Sequence, residues 1–390
     1  MLIQQLPHNN VDIIGDVHGE IDSLQRLLQH LGYDQDGNHP KNRLLVFVGD
    51  LFDRGPNSWA VFQLVRRLLQ SNKALCIMGN HELNLLIADT KPSPEEANAF
   101  MPKYKYIPEQ KSGNRWFHGL MENMLNKEDK MRFPKHIDNQ FVLQTPTQRE
   151  EIIDCIEKLP LIIETSRLRI VHACWHKPSV ESIRNLPSDM TAKEAYNYFL
   201  TAITQKYSNT TKDNFDLCLQ NENPIKTITS GLERKLFSTE KPYFAGGKQR
   251  DTVRVLWWDG VKSETQNSQD FVAYTDSQYV IFGHYWRTRP IHESLPEHIH
   301  TPPDKKEIPR VFPKDSSYNW MGPRKNCFCI DYSVGKRYYE RFHLANTPTC
   351  HSYDLGFLGS YLGAMRVQEQ ENGSLHFSIV FEDGFTTKPT

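Results

Sequence analysis

The first ninety residues alternate between short apolar runs and longer amphipathic ones. "VDIIGD" (11–16), "LLVFVGD" (44–50) and "ALCIMGN" (74–80) are continuous apolar stretches that stop at Gly and a polar residue. Such runs are too short for helices and predict buried strands. Between them, "EIDSLQRLLQHL" (20–31) places Ile21, Leu24, Leu27, Leu28 and Leu31 at helical spacing. "NSWAVFQLVRRLLQ" (57–70) opens on Asn and Ser, which suit a helix start, and "HELNLLIA" begins a further helix. Strand–helix alternation predicts βαβ units around a largely parallel sheet.

Residues 91–146 break the rhythm: Pro, Lys, Asn and Met are frequent and aromatics are scattered. They read as a partly helical insertion that would wall one side of a site. Phe100, Tyr104, Tyr106, Trp116 and Phe117 fit a small local core. "REEIIDCIEKLPLIIET" and "RLRIVHACW" restore order as a helix and two strands. A second irregular region at about 176–250 holds a helix in "SDMTAKEAYNYFLTAITQKY". "VRVLWWDG", "SQYVIFGHYW" and "NCFCIDYSVG" are strand-like, and "GAMRVQEQENGSLHFSIVF" reads as a hairpin turning at Asn372-Gly373. The organisation expected is one catalytic domain over 1–350 with these two insertions, and C-terminal strands over 351–390 packing on it.

Composition narrows the class only a little. The chain has 390 residues and a net charge of −1, so no overall field draws it to nucleic acid or membranes. Seven cysteines at scattered spacings suggest free thiols in a reducing compartment. "MLIQQLPHNN" has neither a basic start nor a long apolar stretch, so no signal peptide is expected. No window reaches the ~18 apolar residues a membrane span needs. A cytoplasmic protein is expected, with signal-independent export of a bacterial effector as the alternative; the oligomeric state is not legible.

The chemistry lies where the apolar runs end. "IIGDVHG" supplies Asp16 and His18, "VFVGDLFDRG" supplies Asp50, Asp53 and Arg54, and "CIMGNHE" supplies Asn80 and His81. "RIVHACW" supplies His172 and "VIFGHYW" supplies His284. In open α/β sheets, ligands bind at the carboxyl edge of the strands. Each residue alone has an ordinary role as turn former, cap or surface charge, but metal-ligand types gathered at five matching strand ends do not. Carboxylate, imidazole and amide oxygen together suit Mn, Fe or Zn better than Ca. Two Asp charges against two divalent ions leave an excess positive charge, which attracts phosphate and acidifies a water. Two such ions would clamp the attacking and leaving oxygens of a displacement at phosphorus.

The blocks "GDVHG" (15–19), "GDLFDRG" (49–55) and "GNHE" (79–82), with "LPLIIETSRLRIVHACW" (159–175) and "FGHYW", resemble the signature blocks of the phosphoprotein phosphatase branch of the metallophosphoesterases. The resemblance covers roughly 11–90, 150–175 and 253–340. It implies an α/β calcineurin-like metallophosphoesterase fold, a central β-sandwich of mixed sheets flanked by helices. It implies that Asp16, His18 and Asp50 hold one metal ion, that Asp50 bridges, and that Asn80, His172 and His284 complete the second. Manganese is expected, with iron or zinc as alternatives. His81 would protonate the leaving group, Asp53 would orient His81, and Arg54 would fork onto phosphate. The nucleophile would be metal-activated water, with no covalent phosphoenzyme.

The chain departs from the family's animal members in two places. Ala173-Cys174-Trp175 stands where those have Gly-Gly, and 260–283 lacks the Arg that gives them a second phosphate contact. Arg250, Arg254, Arg287 and Arg289 are candidate replacements, Arg254 and Arg287 above all. "AGGKQRDTVRVLWWDG" with "GHYWR" resembles a bacterial subgroup. The expected activity is that of a protein serine/threonine phosphatase acting on a phosphoprotein or phosphopeptide, with no nucleic-acid partner. The alternatives are a dinucleoside polyphosphate or other nucleotide hydrolase, and a phosphatase-like binding module without turnover.

Overall fold

The computed structural model describes residues 1–89, 117, 145–245, 248–261, 271–289, 312, 316–337 and 359–390. Most of the 91–146 insertion, including Phe100, Tyr104, Tyr106 and Trp116, lies outside them; Phe117 is described, and it is buried in the main core.

The N-terminal half contains β1 (Ile3–Gln5), β2 (Val11–Ile14), α1 (Ile21–Leu31), β3 (Leu44–Phe47), α2 (Ser58–Gln70), β4 (Ala74–Cys76) and α3 (Asn80–Asp89). After the insertion come α4 (Pro146–Ile156), β5 (Ile162–Glu164), β6 (Leu168–Val171), α5 (Lys177–Arg184), α6 (Ala192–Lys206), α7 (Lys212–Glu222) and α8 (Pro224–Ser230). The short strands β7 (Glu233–Lys235), β8 (Tyr243–Ala245), β9 (Lys248–Arg250) and β10 (Thr252–Arg254) follow. The chain then supplies β11 (Tyr279–Phe282), β12 (Cys327–Cys329), β13 (Gly363–Glu369), β14 (Leu375–Phe381) and β15 (Thr386–Thr387).

Two mixed sheets form the centre. One has the order β15-β14-β13-β2-β3-β4, the other β1-β5-β6-β11-β12. Strands β2, β3 and β4 pair in parallel, Ile13 opposite Val46 and Val46 opposite Leu75. Their unbroken apolar sequence follows from burial on both faces. Because successive side chains point to opposite faces, Val11 and Ile13 enter one layer with Val46, Ile170, Ile281 and Phe328. Ile14 enters the other with Phe47, Leu24, Leu27 and Phe62. The calcineurin-like sandwich of mixed sheets flanked by helices is therefore present.

The helices form where the pattern places them. In α1, Leu24, Leu27, Leu28 and Leu31 are buried, and Gly32 closes the helix at φ 90°. Each buried Leu contributes about 1.5–3 kcal/mol relative to exposure. In α2, the Asn57 side chain accepts from the Ala60 N–H. The region 176–250 is more regular than its sequence suggests, with four helices where the pattern showed one. The reason is visible in α7, where only Phe215 and Gln220 are buried, so the apolar stripe is too sparse to read. "VRVLWWDG" leaves the strand after Arg254, and Trp257 and Trp258 pack instead against Phe282 at 5.0 and 5.2 Å.

The C-terminal hairpin joins the six-stranded sheet through β2, with Ala364 opposite Ile14. Its turn uses Gly373 at φ 79°, a conformation that costs Gly little. Parallel β2–β4 bring their carboxyl ends to one edge, and β6, β11 and β12 do the same in the other sheet. A Cβ on Gly15 would stand 2.4 Å from the Ile330 carbonyl oxygen, so the two edges meet.

Candidate metal centre

Asp50 stands at the middle of the joint edge. Its Oδ2 lies 3.7 Å from His18 Nε2 and 3.8 Å from His81 Nε2, and its Oδ1 lies 3.3 Å from His172 Nε2. Asn80 Oδ1 is 3.2 Å from His172 Nε2 and 2.7 Å from His284 Nδ1. Asp16 Oδ2 lies 3.9 Å from His18 Nε2 and accepts from the His284 backbone N–H at 3.1 Å. All six expected metal ligands thus converge, and two sets sharing Asp50, one with His18 and His81 and one with His172 and His284, have the spacing of ion sites.

The donor chemistry fits divalent cations. His18 Nδ1 donates to the Phe52 carbonyl at 3.0 Å and His172 Nδ1 to the Val48 carbonyl at 2.7 Å. In the neutral imidazoles this turns the Nε2 lone pairs toward the carboxylates, as in histidine metal ligands. Burial pulls His18 well below the usual histidine range, and the Arg54 guanidinium pulls it further. Burial does the same to His284, assisted by Arg254. Both are therefore held neutral, as metal ligation requires. His284 Nε2 is buried with no hydrogen-bond partner among the described residues, an orphaned lone pair or proton that a closed protein seldom tolerates.

The backbone is strained at this edge. His18, Asp50, Asp53, Arg54 and His284 all have φ between 47° and 70°. Non-glycine residues there cost on the order of 1–3 kcal/mol each and gather at functional sites. Glycine makes room beside them: a Cβ on Gly79 would stand 2.3 Å from Asp50 Oδ1, and one on Gly283 2.0 Å from Asp16 Oδ1.

Beside the ligands, His81 Nδ1 pairs with Asp53 Oδ2 at 2.5 Å. Arg54 donates to His18 Nε2 at 2.7 Å and to His81 Nε2 at 3.1 Å. Arg254 donates to the His284 carbonyl at 3.2 Å, so it borders the cluster from behind a ligand. Arg287 has a different setting. It is buried, donates to the Cys329 and Asn319 carbonyls, and lies between the rings of Phe312 and Phe328. That packing takes its guanidinium away from phosphate, which corrects the expectation built on its nearness in sequence to His284. Arg289 is bound to Asp383 through both terminal nitrogens.

Sequence reasoning passed over Glu82, although it closes the quoted block "GNHE". Its buried carboxylate accepts from the backbone N–H groups of Asp50, Leu51 and Gly79 at 2.8–2.9 Å, tying the second and third ligand loops together. Burial, with Asp50 nearby, raises it to about 7.

Comparison with known proteins agrees with this geometry. Residues 10–203 match the family described as calcineurin-like phosphoesterase. The chain belongs to the calcineurin-like metallophosphoesterases. Members of this family use a binuclear divalent metal centre, and the residues able to hold one are present here. Among curated relatives, an asymmetrical bis(5'-nucleosyl)-tetraphosphatase PrpE of Halalkalibacterium halodurans is 49% identical over 73 residues, which is 18% of this chain and 30% of that one. A protein of the same name from Bacillus anthracis is 43% identical over 168 residues, 42% of this chain and 56% of its own. The chain thus matches under two thirds of the length of these relatives. Among solved structures, a cold-active protein-tyrosine phosphatase of a psychrophilic Shewanella shares 14% identity with a TM-score of 0.42, over 100% of this metallophosphoesterase and 82% of the Shewanella chain. No described helix is long and apolar enough to cross a membrane.

Proposed function

We propose that the protein is a metal-dependent phosphomonoester hydrolase and that its substrates are phosphoproteins, chiefly at phosphoserine or phosphothreonine. The observation that supports this best is the division of Asp50: one carboxylate oxygen faces His18 and His81, the other His172. A carboxylate shared in this way suits a bridge between two ions. Asp16, His18 and Asp50 would hold one, and Asp50, Asn80, His172 and His284 the other. Bound ions would supply Lewis-acid stabilisation of charge at phosphorus and an acidified water.

The chain's own residues do the rest. Arg54 presents two donors toward the cluster, and a guanidinium fork matches two phosphate oxygens. His81 would serve as the proton donor to the leaving oxygen through Nε2 once substrate phosphate draws the Arg54 guanidinium off that atom, and Asp53 at Nδ1 fixes its ring. Glu82 keeps the Asp50 and Asn80 loops in register.

A second reading, hydrolysis of dinucleoside polyphosphates, is favoured by one feature. Trp286 is 38% exposed and its ring lies 5.0 Å from the Arg54 guanidinium, where it offers an aromatic face beside a phosphate contact. The names of the relatives point the same way. Initial rates on a phosphoserine peptide and on diadenosine tetraphosphate, measured with manganese after chelation, separate the two. Faster turnover of the peptide supports the first reading, faster turnover of the nucleotide replaces it with the second, and no release of phosphate from either removes both.

A further inference from the structure

A sixth strand ends at the same edge with a carboxylate. Asp16 lies two residues beyond the end of β2 and His284 two beyond the end of β11; Asp331 lies two beyond the end of β12. β12 runs parallel to β11, with Phe328 opposite Ile281, so Asp331 leaves its sheet beside His284 and in the same direction. We propose that Asp331 is a further carboxylate of the first metal site, facing the ion together with Asp16.

Four observations carry this. Asp331 is 1% exposed, and its Oδ2 has no hydrogen-bond partner among the described residues. Its Oδ1 is fixed by the Ser333 N–H at 2.8 Å, so the side chain is aimed rather than loose. It stands within hydrogen-bonding reach of the Asp16 carboxylate. Two carboxylates are both acceptors, and their contact satisfies neither unless a cation or a shared proton stands with them. Finally, the turn after Asp331 is pressed onto a ligand. Ser333 has φ 63°, and a Cβ on Gly335 would stand 2.4 Å from the His18 ring. Asp331 therefore belongs to the side of the cluster occupied by Asp16 and His18, not to the side of His172.

Three buried carboxylates, Asp16, Asp50 and Asp331, then face two divalent ions. The cluster keeps a smaller positive excess than two carboxylates would leave, and the first ion is held more tightly than the second for a given set of neutral ligands.

This inference rests on the two-ion reading above, and the test separates the two. Manganese is titrated calorimetrically into chelated wild-type protein and into Asp331→Asn, with bound metal counted by elemental analysis and the melting of the metal-free proteins compared. The wild type is expected to take up two ions. In Asp331→Asn, one of the two is expected to bind at least tenfold more weakly, in line with the 10–100-fold typical of residues that support metal ligands. The metal-free variant is expected to melt no lower than the wild type, because a mutual repulsion has been removed. Unchanged affinity at both sites overturns the assignment. So does a metal-free variant that fails to fold, which would make Asp331 a structural acceptor for Ser333. Wild-type protein that binds no manganese removes the two-ion reading itself.

Discussion

His81 Nδ1 lies 2.5 Å from Asp53 Oδ2, and Asp53 is fully buried. The pair fixes the ring and leaves Nε2 facing the cluster, 3.8 Å from Asp50 Oδ2. His18 Nε2 stands at almost the same distance, 3.7 Å, so position alone gives His81 the reach of a ligand as well as of an acid. His81→Ala is expected to keep both metal ions and to slow turnover by roughly 10²–10⁴-fold, the usual contribution of general acid–base catalysis. Elemental analysis decides between the roles: loss of one ion in the variant makes His81 a ligand.

Asp50 faces imidazoles through both oxygens. Asp50→Asn replaces one oxygen with an NH₂ group that repels a cation, and the remaining neutral oxygen binds weakly. Metal content after dialysis is expected to fall from two ions to one or none, with activity reduced to background. Wild-type metal content and turnover in this variant would remove Asp50 from the bridge.

Arg54 presents two donors toward the cluster, at 2.7 and 3.1 Å from two imidazole nitrogens. Hydrogen bonds to charged groups contribute about 1.5–3 kcal/mol, so Arg54→Ala is expected to raise the inhibition constant of free phosphate roughly tenfold to a hundredfold. An unchanged constant places the phosphate contact on another residue.

Away from the site, Asp12 is buried on β2 and accepts from Arg43 at 3.0 Å, Arg366 at 2.8 Å and Tyr33 at 2.9 Å. Burial raises its pKa, but Arg366 and Arg43 outweigh burial and hold the carboxyl below the usual range. A depressed folded-state pKa means that the stability it contributes is complete above the unfolded value, near 4, and is lost as pH falls through the folded value. Asp12→Asn is expected to cost about 3 kcal/mol at pH 7, because it strands buried guanidinium charge. The gap between variant and wild type in urea unfolding should narrow below pH 4. A gap that stays constant with pH would mean that Asp12 acts through packing alone.

The parts of the fold that could be read in sequence share a cause. β2, β3 and β4 are buried on both faces, so each is an unbroken apolar run that stops at Gly and a polar residue, and those stops delivered Asp16, Asp50 and Asn80. Asp331 follows the same rule after "CFC", but Ile330 and not Gly precedes it, so nothing in "NCFCIDYSVG" marks where the strand stops. Glu82 was hidden for another reason. It acts on backbone N–H groups, and backbone partners leave no trace in the residue pattern. Arg287 was misplaced because nearness along the chain does not fix direction; one residue earlier, Trp286 turns outward while Arg287 turns into the core.

That outward turn gives the last expectation. Trp286 lies two residues from His284 and stacks on Arg54, the candidate phosphate fork. A ring there meets whatever the phosphate carries. Stacking of a nucleobase on an aromatic side chain is worth about 1–3 kcal/mol, whereas a serine side chain offers the indole only aliphatic contact. Trp286→Ala is therefore expected to lower kcat/KM for diadenosine tetraphosphate by about tenfold and to change that for a phosphoserine peptide much less, with Trp286→Phe retaining most of the difference. Equal loss on both substrates would mean that the indole serves to hold Arg54 in place, since a weakened fork affects every phosphate ester alike. No loss on either would leave the nucleotide reading without a structural basis and strengthen the phosphoprotein one.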